Sequence, residues 1–199
     1  MIKMKYIIIL VLLVSCSSKV DKKKAEPKEQ LISQVIYENK PVSIISQKLN
    51  LLNGKLIIDL PEGFDIMGKE MLVVKYPSNN RPTLVYTNKN GSINFTFNHT
   101  NNDIPKDKLP EILPAFVKHF SSIYPQIEWF KKGIEKFKGK DFVVLEFITP
   151  AIDSKIYNLM YVTVLEGKML MCSFNCLESQ KAEWETKAKE SLNSIIIKE

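Results

Sequence analysis

A β-hairpin signal in the middle of the sequence commits the chain to antiparallel strand pairing. The tetrapeptide Asn-Lys-Asn-Gly at residues 88–91 contains Asn-Gly, the strongest short-range signal for a tight hairpin turn. Strands are predicted on both sides of the turn, over residues 83–87 and 92–98. Apolar and polar residues alternate in the second strand, so we expect one of its faces to be buried and the other to be solvated.

Further strands and two helices are predicted around this hairpin. The strands cover residues 55–59, 127–137, 141–149, 155–165 and 168–174. Apolar residues at helical spacing indicate one helix over residues 107–123 and another after Ser179. Hairpins without regular βαβ alternation favour an α+β fold, in which helices pack against an antiparallel β-sheet.

The first 15 residues have the pattern of a secretory signal peptide. Lys3 and Lys5 supply a positive start, and an apolar segment follows over residues 6–14. A membrane-spanning helix needs about 20 apolar residues, so this segment is too short to cross a bilayer. We therefore exclude residues 1–15 from the folded domain.

Residues 12–18, Leu-Leu-Val-Ser-Cys-Ser-Ser, resemble the lipobox of bacterial lipoproteins. The resemblance implies that Cys16 is acylated and anchors the chain to a lipid bilayer of the cell envelope, facing the periplasm or the cell surface. Stable anchoring takes more than one acyl chain. Ser17 after the cysteine favours sorting to the outer membrane. A plain signal peptide with an incidental cysteine is the alternative.

The mature chain divides into a tether and one domain. Residues 16–50 comprise the lipidated N-terminus, a lysine-rich tether and an ambiguous apolar segment. Residues 51–199 are long enough for a single α+β domain. The net charge of +6 is a mild excess of basic residues. The predicted secretion signal argues against nucleic acid as a partner.

A second resemblance concerns the folded domain. Residues 55–68, the segment 75–83 and the Asn-Lys-Asn-Gly hairpin resemble the beginning of Mog1/PsbP-like domains, in particular the bacterial DUF1795/DcrB-like branch. The resemblance covers residues 50–196 and implies a sheet flanked by helices. The better-known members of this family bind proteins or assist complexes, and the resemblance brings no catalytic residues with it.

The sequence contains no motif of a known catalytic or metal site. Its two histidines, His99 and His119, lack the Cys/His spacing of a zinc site. The motifs G-x-S-x-G and H-E-x-x-H and a glycine-rich phosphate loop are missing from the sequence. We therefore expect no enzyme activity, no metal and no cofactor.

Cys172 and Cys176 lie in one stretch of alternating residues. If this stretch is a strand, their side chains share a face at a separation of about 13 Å, whereas a disulfide requires Cα atoms within about 7 Å of each other. Two buried free thiols are the favoured interpretation. A disulfide formed by a chain reversal and a reactive thiol are the alternatives.

Two stretches are candidate surfaces for binding a partner. Asn94, Thr96 and Asn98 are expected on the solvated face of the second hairpin strand. Lys132 and Lys136 belong to a run of aromatic and basic residues that suits an acidic partner or anionic lipid. Ordinary solvated strand residues, and a charged sheet edge that deters aggregation, explain the same patterns.

The functional hypothesis is a non-catalytic, membrane-anchored binding or accessory module that recruits or supports a protein partner in the envelope. The alternative is a lipoprotein that binds a small ligand or glycan in a cleft between the sheet and the helices. A deep, aromatic-lined pocket of about 300 Å³ or more favours the ligand, and a core without such a pocket favours the protein partner.

Overall fold

The computed structural model of the protein describes residues 46–78 and 81–198. Within these ranges the chain forms ten strands: β1 (Ser46–Leu51), β2 (Leu56–Pro61), β3 (Asp65–Ile66), β4 (Leu84–Thr87), β5 (Asn94–Asp103), β6 (Glu128–Phe137), β7 (Lys140–Pro150), β8 (Lys155–Leu165), β9 (Lys168–Leu177) and β10 (Ile196–Ile197). The same ranges contain three α-helices, α1 (Lys69–Lys75), α2 (Leu109–Ile123) and α3 (Lys181–Asn193). The predicted signal peptide, the predicted acylation site Cys16 and the rest of the chain up to residue 45 lie outside the described residues.

Seven of the described strands form one sheet, in the order β3-β4-β5-β9-β8-β7-β6, and every pair in it is antiparallel. The other three strands described form a second antiparallel sheet, in the order β1-β2-β10. Helices α2 and α3 pack against this framework. The predicted α+β fold, with helices packed on an antiparallel sheet, is confirmed.

Each face of the large sheet buries its own apolar core, because alternate residues of a strand point to opposite faces. One face, which we name the α3 face, packs against β2 and α3. Its largest buried strand residues are Phe95, Phe97, Phe142, Tyr157 and Phe174. The opposite face, named the α2 face, packs under α2. Its buried strand residues include Val143, Leu145, Phe147, Met160, Val162 and Met171.

Both long helices bury most of the apolar stripe from which they were predicted, although Ile123 at the end of α2 is exposed. In α2, Ile112, Phe116 and Phe120 pack on the α2 face. In α3, Ala188 and Leu192 are fully buried against the α3 face. The stripes therefore decide which side of each helix meets the sheet.

Strand β1 lies across the predicted domain boundary at residue 51. Strand β1 starts at Ser46 and pairs along its whole length with β2, which secures residues 46–50 to the small sheet. Strand β9 continues to Leu177, three residues beyond the predicted end.

No helix within the described ranges is long and apolar enough to cross a membrane.

Candidate functional site

The hairpin face predicted to carry Asn94, Thr96 and Asn98 is only partly solvated. All three side chains belong to the α2 face of β5. Thr96 and Asn98 are half-buried, but Asn94 is 0% exposed. The prediction of a solvated Asn94 is wrong, because Tyr76, directly after α1, lies over this end of the sheet beside Asn175.

Asn94 instead belongs to a buried row of polar side chains that crosses three strands. The Thr87 hydroxyl donates to Asn94 Oδ1 at 2.8 Å. Asn94 Nδ2 in turn donates to Asn175 Oδ1 at 3.1 Å. All three residues are buried. Buried polar groups that satisfy one another in this way give the row a structural role.

The hydroxyl of Tyr76 is a buried polar group near this row that makes no hydrogen bond within the described part of the chain. Burial raises the pKa of Tyr76 to about 12, and the nearby amide of Asn175 acts in the opposite direction without meeting hydrogen-bond geometry. An unsatisfied buried hydroxyl costs about 1–3 kcal/mol. The region under α1 therefore contains a buried polar group whose hydrogen-bonding capacity is not satisfied.

The two cysteines of β9 are buried and free. Cys172 pairs with Tyr161 and Cys176 pairs with Tyr157, which places both thiols on the α3 face. Burial raises the pKa of both thiols, to about 12 for Cys176. The interpretation as buried free thiols is confirmed. A thiol that resists deprotonation is a poor nucleophile.

A buried carboxylate that the sequence analysis missed joins the sheet to α3. Glu146 in β7 is 4% exposed. It accepts a hydrogen bond from the Tyr157 hydroxyl at 3.0 Å, and its other oxygen lies 3.1 Å from Lys189 Nζ. Burial lowers the pKa of Lys189, but hydrogen bonds to Glu185 and Glu146 more than offset this and raise it. The signal in the sequence is a single carboxylate inside the apolar run at 142–149.

The candidate lysines lie on β6, the strand at one end of the large sheet. Lys132 and Lys136 point to the α2 face, and Ile134 lies between them on the same face. The side chain of Ile134 is 41% exposed, and that of Phe130, earlier in the strand, is 52% exposed. This strand thus presents apolar and basic side chains together.

Most of the charges along this strand have partners. Lys132 Nζ lies 5.4 Å from the centre of the Trp129 ring, a cation–π contact. The ion pairs join Lys131 to Glu135, Lys136 to Asp141 at 3.3 Å and Lys155 to Glu128 at 2.6 Å. Exposed pairs of this kind contribute about 0–1 kcal/mol each, so they leave the lysines available to a partner.

A groove of about 320 Å³ opens between the beginning of α2 and the turn that joins β6 to β7. Its apolar lining is Leu109, Pro110, Ile134 and Val164, and its polar lining is Asp107, Lys140, Asp141 and Thr163. The volume reaches the lower range of ligand pockets. The lining residues contain no aromatic side chain, unlike the pocket expected for a glycan.

Both histidines make structural contacts. His99 Nε2 lies 3.1 Å from the carbonyl oxygen of Leu165, and the His119 ring packs beside Phe120 with ring centres 6.0 Å apart. Within residues 46–78 and 81–198, no group of three or more His, Cys, Asp and Glu side chains is arranged to hold a metal ion.

The sheets and helices described above define a PsbP-like α+β fold. The chain is similar to the cyanobacterial PsbP protein (CyanoP) of Synechocystis sp. PCC 6803, with a TM-score of 0.57 and 17% identity over 82% of this chain and 99% of that chain. It is also similar to LpqN of Mycobacterium tuberculosis, which is involved in cell envelope biogenesis, with a TM-score of 0.52 and 12% identity over 77% of this chain and 92% of that chain. At these identities the likeness establishes the fold alone.

The sequence matches no protein-family model and no curated protein.

Proposed function

We propose that the protein is a non-catalytic, membrane-anchored module of the bacterial cell envelope that recruits or supports a protein partner. The observation that carries the proposal is β6, a ten-residue strand at the end of the large sheet. Proteins usually shorten, cover or charge such an edge. Strand β6 is charged, yet it keeps Phe130 and Ile134 exposed, and this combination suits contact with another protein.

Membrane anchoring enters the proposal through the lipobox-like sequence around Cys16. Two or more acyl chains on this residue would hold the chain on a bilayer, with residues 17–45 as the tether. Ser17 favours the outer membrane, and the domain would face the periplasm or the cell surface. The involvement of LpqN, a protein of the same fold, in cell envelope biogenesis fits this location.

The placement of the perturbed ionisable groups supports a non-catalytic role. Active sites gather such groups in a cleft. Burial raises the pKa values of Cys172, Tyr157 and Tyr161 strongly, and all three lie in the packed core of the α3 face. None of them lines the groove beside β6.

Two measurements on intact cells test the proposal. Mass spectrometry of the native N-terminus should find acyl groups on Cys16, and an ordinary cleavable signal peptide in place of residues 1–16 should release the chain from the membrane. Photo-cross-linking from exposed positions of the full chain should capture one envelope protein. An unmodified N-terminus contradicts the anchor. The absence of a cross-linked protein from every exposed position contradicts the recruiting role.

A second candidate function is the binding of a small ligand in the groove beside Ile134, which its volume of about 320 Å³ favours. The mixed charge and the absence of aromatic side chains among the lining residues make it a poor glycan site. If this candidate is correct, metabolite extracts should shift NMR signals of groove residues only, and no protein should be cross-linked.

A further inference from the structure

We propose that the partner contributes an extended, acidic and apolar segment that pairs with the outer edge of β6 as an added strand. One apolar side chain of this segment occupies the groove beside Ile134. This inference rests on the proposed function, because it names the surface and the partner chemistry of the same module.

Strand β6 offers a backbone edge long enough for strand addition. It has ten residues, and in the part of the chain that the structure describes it pairs with β7 alone. Successive residues of an antiparallel strand direct their N–H and C=O groups to alternate sides, so about half of these groups point outward. Strand β3, at the opposite end of the sheet, has two residues. Of the two end strands described for the large sheet, β6 alone therefore has the length that a bound strand needs.

The groove supplies a place for a partner side chain next to this edge. Ile134 forms one wall, and Leu109, Pro110 and Val164 complete the apolar lining. A strand paired beside β6 would direct every second side chain to the same α2 face as Ile134. Complexes of this type draw affinity from the backbone hydrogen bonds and specificity from pockets for alternate side chains. An aliphatic side chain suits these walls.

Gly133, in the middle of β6, points to a close approach by another chain. Its backbone is outside the left-handed region, and a Cβ at this position would meet no atom within 4 Å. Nothing in the described part of the chain therefore requires glycine here. A glycine inside a strand weakens that strand and often marks a place where a ligand or another backbone comes near.

The charge of the strand selects the partner chemistry. Residues 128–141 contain five lysines and three acidic residues. Lys132 and Lys136 flank Ile134 on the α2 face, beside the groove. This positive excess attracts an acidic segment. A second copy of the chain would bring the same excess to the interface, and the repulsion between like charges disfavours pairing of β6 with itself.

The first test uses the full chain in lipid nanodiscs and a synthetic peptide that alternates glutamate with valine or leucine. We expect saturable binding, weaker at high ionic strength, that slows amide hydrogen exchange in β6. A matched peptide with lysine in place of glutamate should bind with an affinity lower by a factor of about ten or more. Failure of the acidic peptide to bind, protection confined to another element or equal binding of the lysine peptide overturns the inference. Concentration-dependent protection of β6 without peptide assigns the edge to a second copy and also overturns it.

Neighbouring proline variants separate a lost partner contact from a damaged sheet. Because adjacent residues direct their N–H groups to opposite sides, one of Lys132→Pro and Gly133→Pro removes a bond to β7 and the other removes a bond to the partner. We expect one variant to keep the melting temperature of its matched control, Lys132→Ala or Gly133→Ala. That variant should bind the acidic peptide about tenfold more weakly than its control. If the stable proline variant binds the peptide as tightly as its control, the inference is overturned. It is also overturned if both proline variants fold and both bind the peptide with full affinity.

An aspartate substitution tests the groove. Ile134→Asp places a charge at the groove wall and should weaken binding of the acidic peptide about tenfold or more. Its matched control is Ile152→Asp, at an 86% exposed position in the turn between β7 and β8, which should leave the affinity unchanged. Equal affinities of the two variants contradict the placement of a partner side chain in the groove.

Cross-linking in cells distinguishes a failure of this inference from a failure of the proposed function. The photoreactive residue is placed at Lys132 in β6, and in separate experiments at two exposed positions elsewhere, Val74 and Ile152. An envelope protein captured from Val74 or Ile152 but never from Lys132 leaves the recruiting role intact and overturns strand addition. No captured protein from any position overturns the recruiting role itself.

Discussion

The carboxylate of Glu146 lies 3.1 Å from the ammonium group of Lys189, in the interface between the large sheet and α3. The same carboxylate accepts a hydrogen bond from Tyr157, and Lys189 also pairs with Glu185. Two strands and a helix thus meet at one charged group that is almost completely removed from water. Such a group stabilises one docking position of α3 as long as both of its partners are present.

Removal of the lysine should destabilise the protein more than removal of the whole pair. We expect Lys189→Met to lower the free energy of unfolding by about 2–3 kcal/mol, because the Glu146 carboxylate is left buried and without its cation. The value lies below that of fully buried pairs because the Lys189 side chain keeps 37% exposure. The double variant Glu146→Leu/Lys189→Met should recover most of the loss. Urea unfolding measures both, and strictly additive losses would contradict the coupling.

The contact between α1 and the hairpin turn should be sensitive to one methyl group. Lys75 Nζ donates to the Gly91 carbonyl, and a Cβ on Gly91 would come within 2.6 Å of Met71 Sδ. Gly91 and Gly63 both have positive φ, +75° and +83°, but the space beside Gly63 is open. We expect Gly63→Ala to cost about 1–2 kcal/mol from its backbone alone. Gly91→Ala should cost about 1 kcal/mol more, because Met71 has to move. If the two variants lose the same stability in thermal unfolding, Met71 and α1 move aside without a measurable cost, which contradicts the prediction.

The elements that the sequence predicted correctly are those whose formation depends on residues close together in the sequence. The strand predicted for residues 155–165 is β8 with the same bounds. The turn between β6 and β7 contains Gly139 and the turn between β8 and β9 contains Gly167, both with positive φ. Alternation of apolar residues and the position of a turn glycine are local properties, so the sequence alone was enough for them.

The environment of Asn94 was beyond such local reasoning. Its polar neighbours on β5 are half-buried, and the same alternation suggested water on this face. Its actual partner, Asn175, lies 81 residues away in the sequence, and Tyr76 covers it from a different element. Burial by a second layer is decided by tertiary packing, which the period of a single strand does not contain.

The position of β6 at the end of the sheet also depends on the whole fold. The strand is sixth in the chain but last in the order of the sheet, so only the complete topology reveals its free edge. The lysine-rich composition was the available signal, because edge strands often carry lysine. The groove beside Ile134 is lined by residues of α2 and of the turn between β6 and β7. No motif in the sequence predicts it.

The buried polar row should lose stability when its middle member is removed. Asn94→Ala leaves the Asn175 side-chain oxygen without its donor, whereas the Thr87 hydroxyl keeps the Ile93 carbonyl oxygen as an acceptor. The expected cost is about 1–3 kcal/mol. The matched control is Thr96→Ala, two residues further along the same face and half-buried, for which we expect a change within about 0.5 kcal/mol. Equilibrium urea unfolding compares the two, and a loss for Asn94→Ala no larger than that for Thr96→Ala would contradict the structural role of the row.

Stability should fall steeply in alkaline solution because the buried thiols stay protonated in the folded chain. Burial raises the pKa of Cys176 from its ordinary value of 9.0 to about 12, and burial also raises that of Cys172. Above pH 9 the unfolded chain releases these protons while the folded chain keeps them. The unfolded state then binds fewer protons, so the free energy of unfolding decreases as pH rises.

The expected slope is about 1.4 kcal/mol per pH unit for each thiol, beginning near pH 9 and continuing toward the folded pKa values. Tyr76, with its pKa raised from 10.0 to about 12, should add to the slope only above pH 10. The double variant Cys172→Ala/Cys176→Ala is therefore expected to remove the fall between pH 9 and pH 10 and to retain the one above it. Urea unfolding at closely spaced pH values measures both slopes. An unchanged slope below pH 10 in the double variant would mean that groups other than the thiols control the alkaline transition.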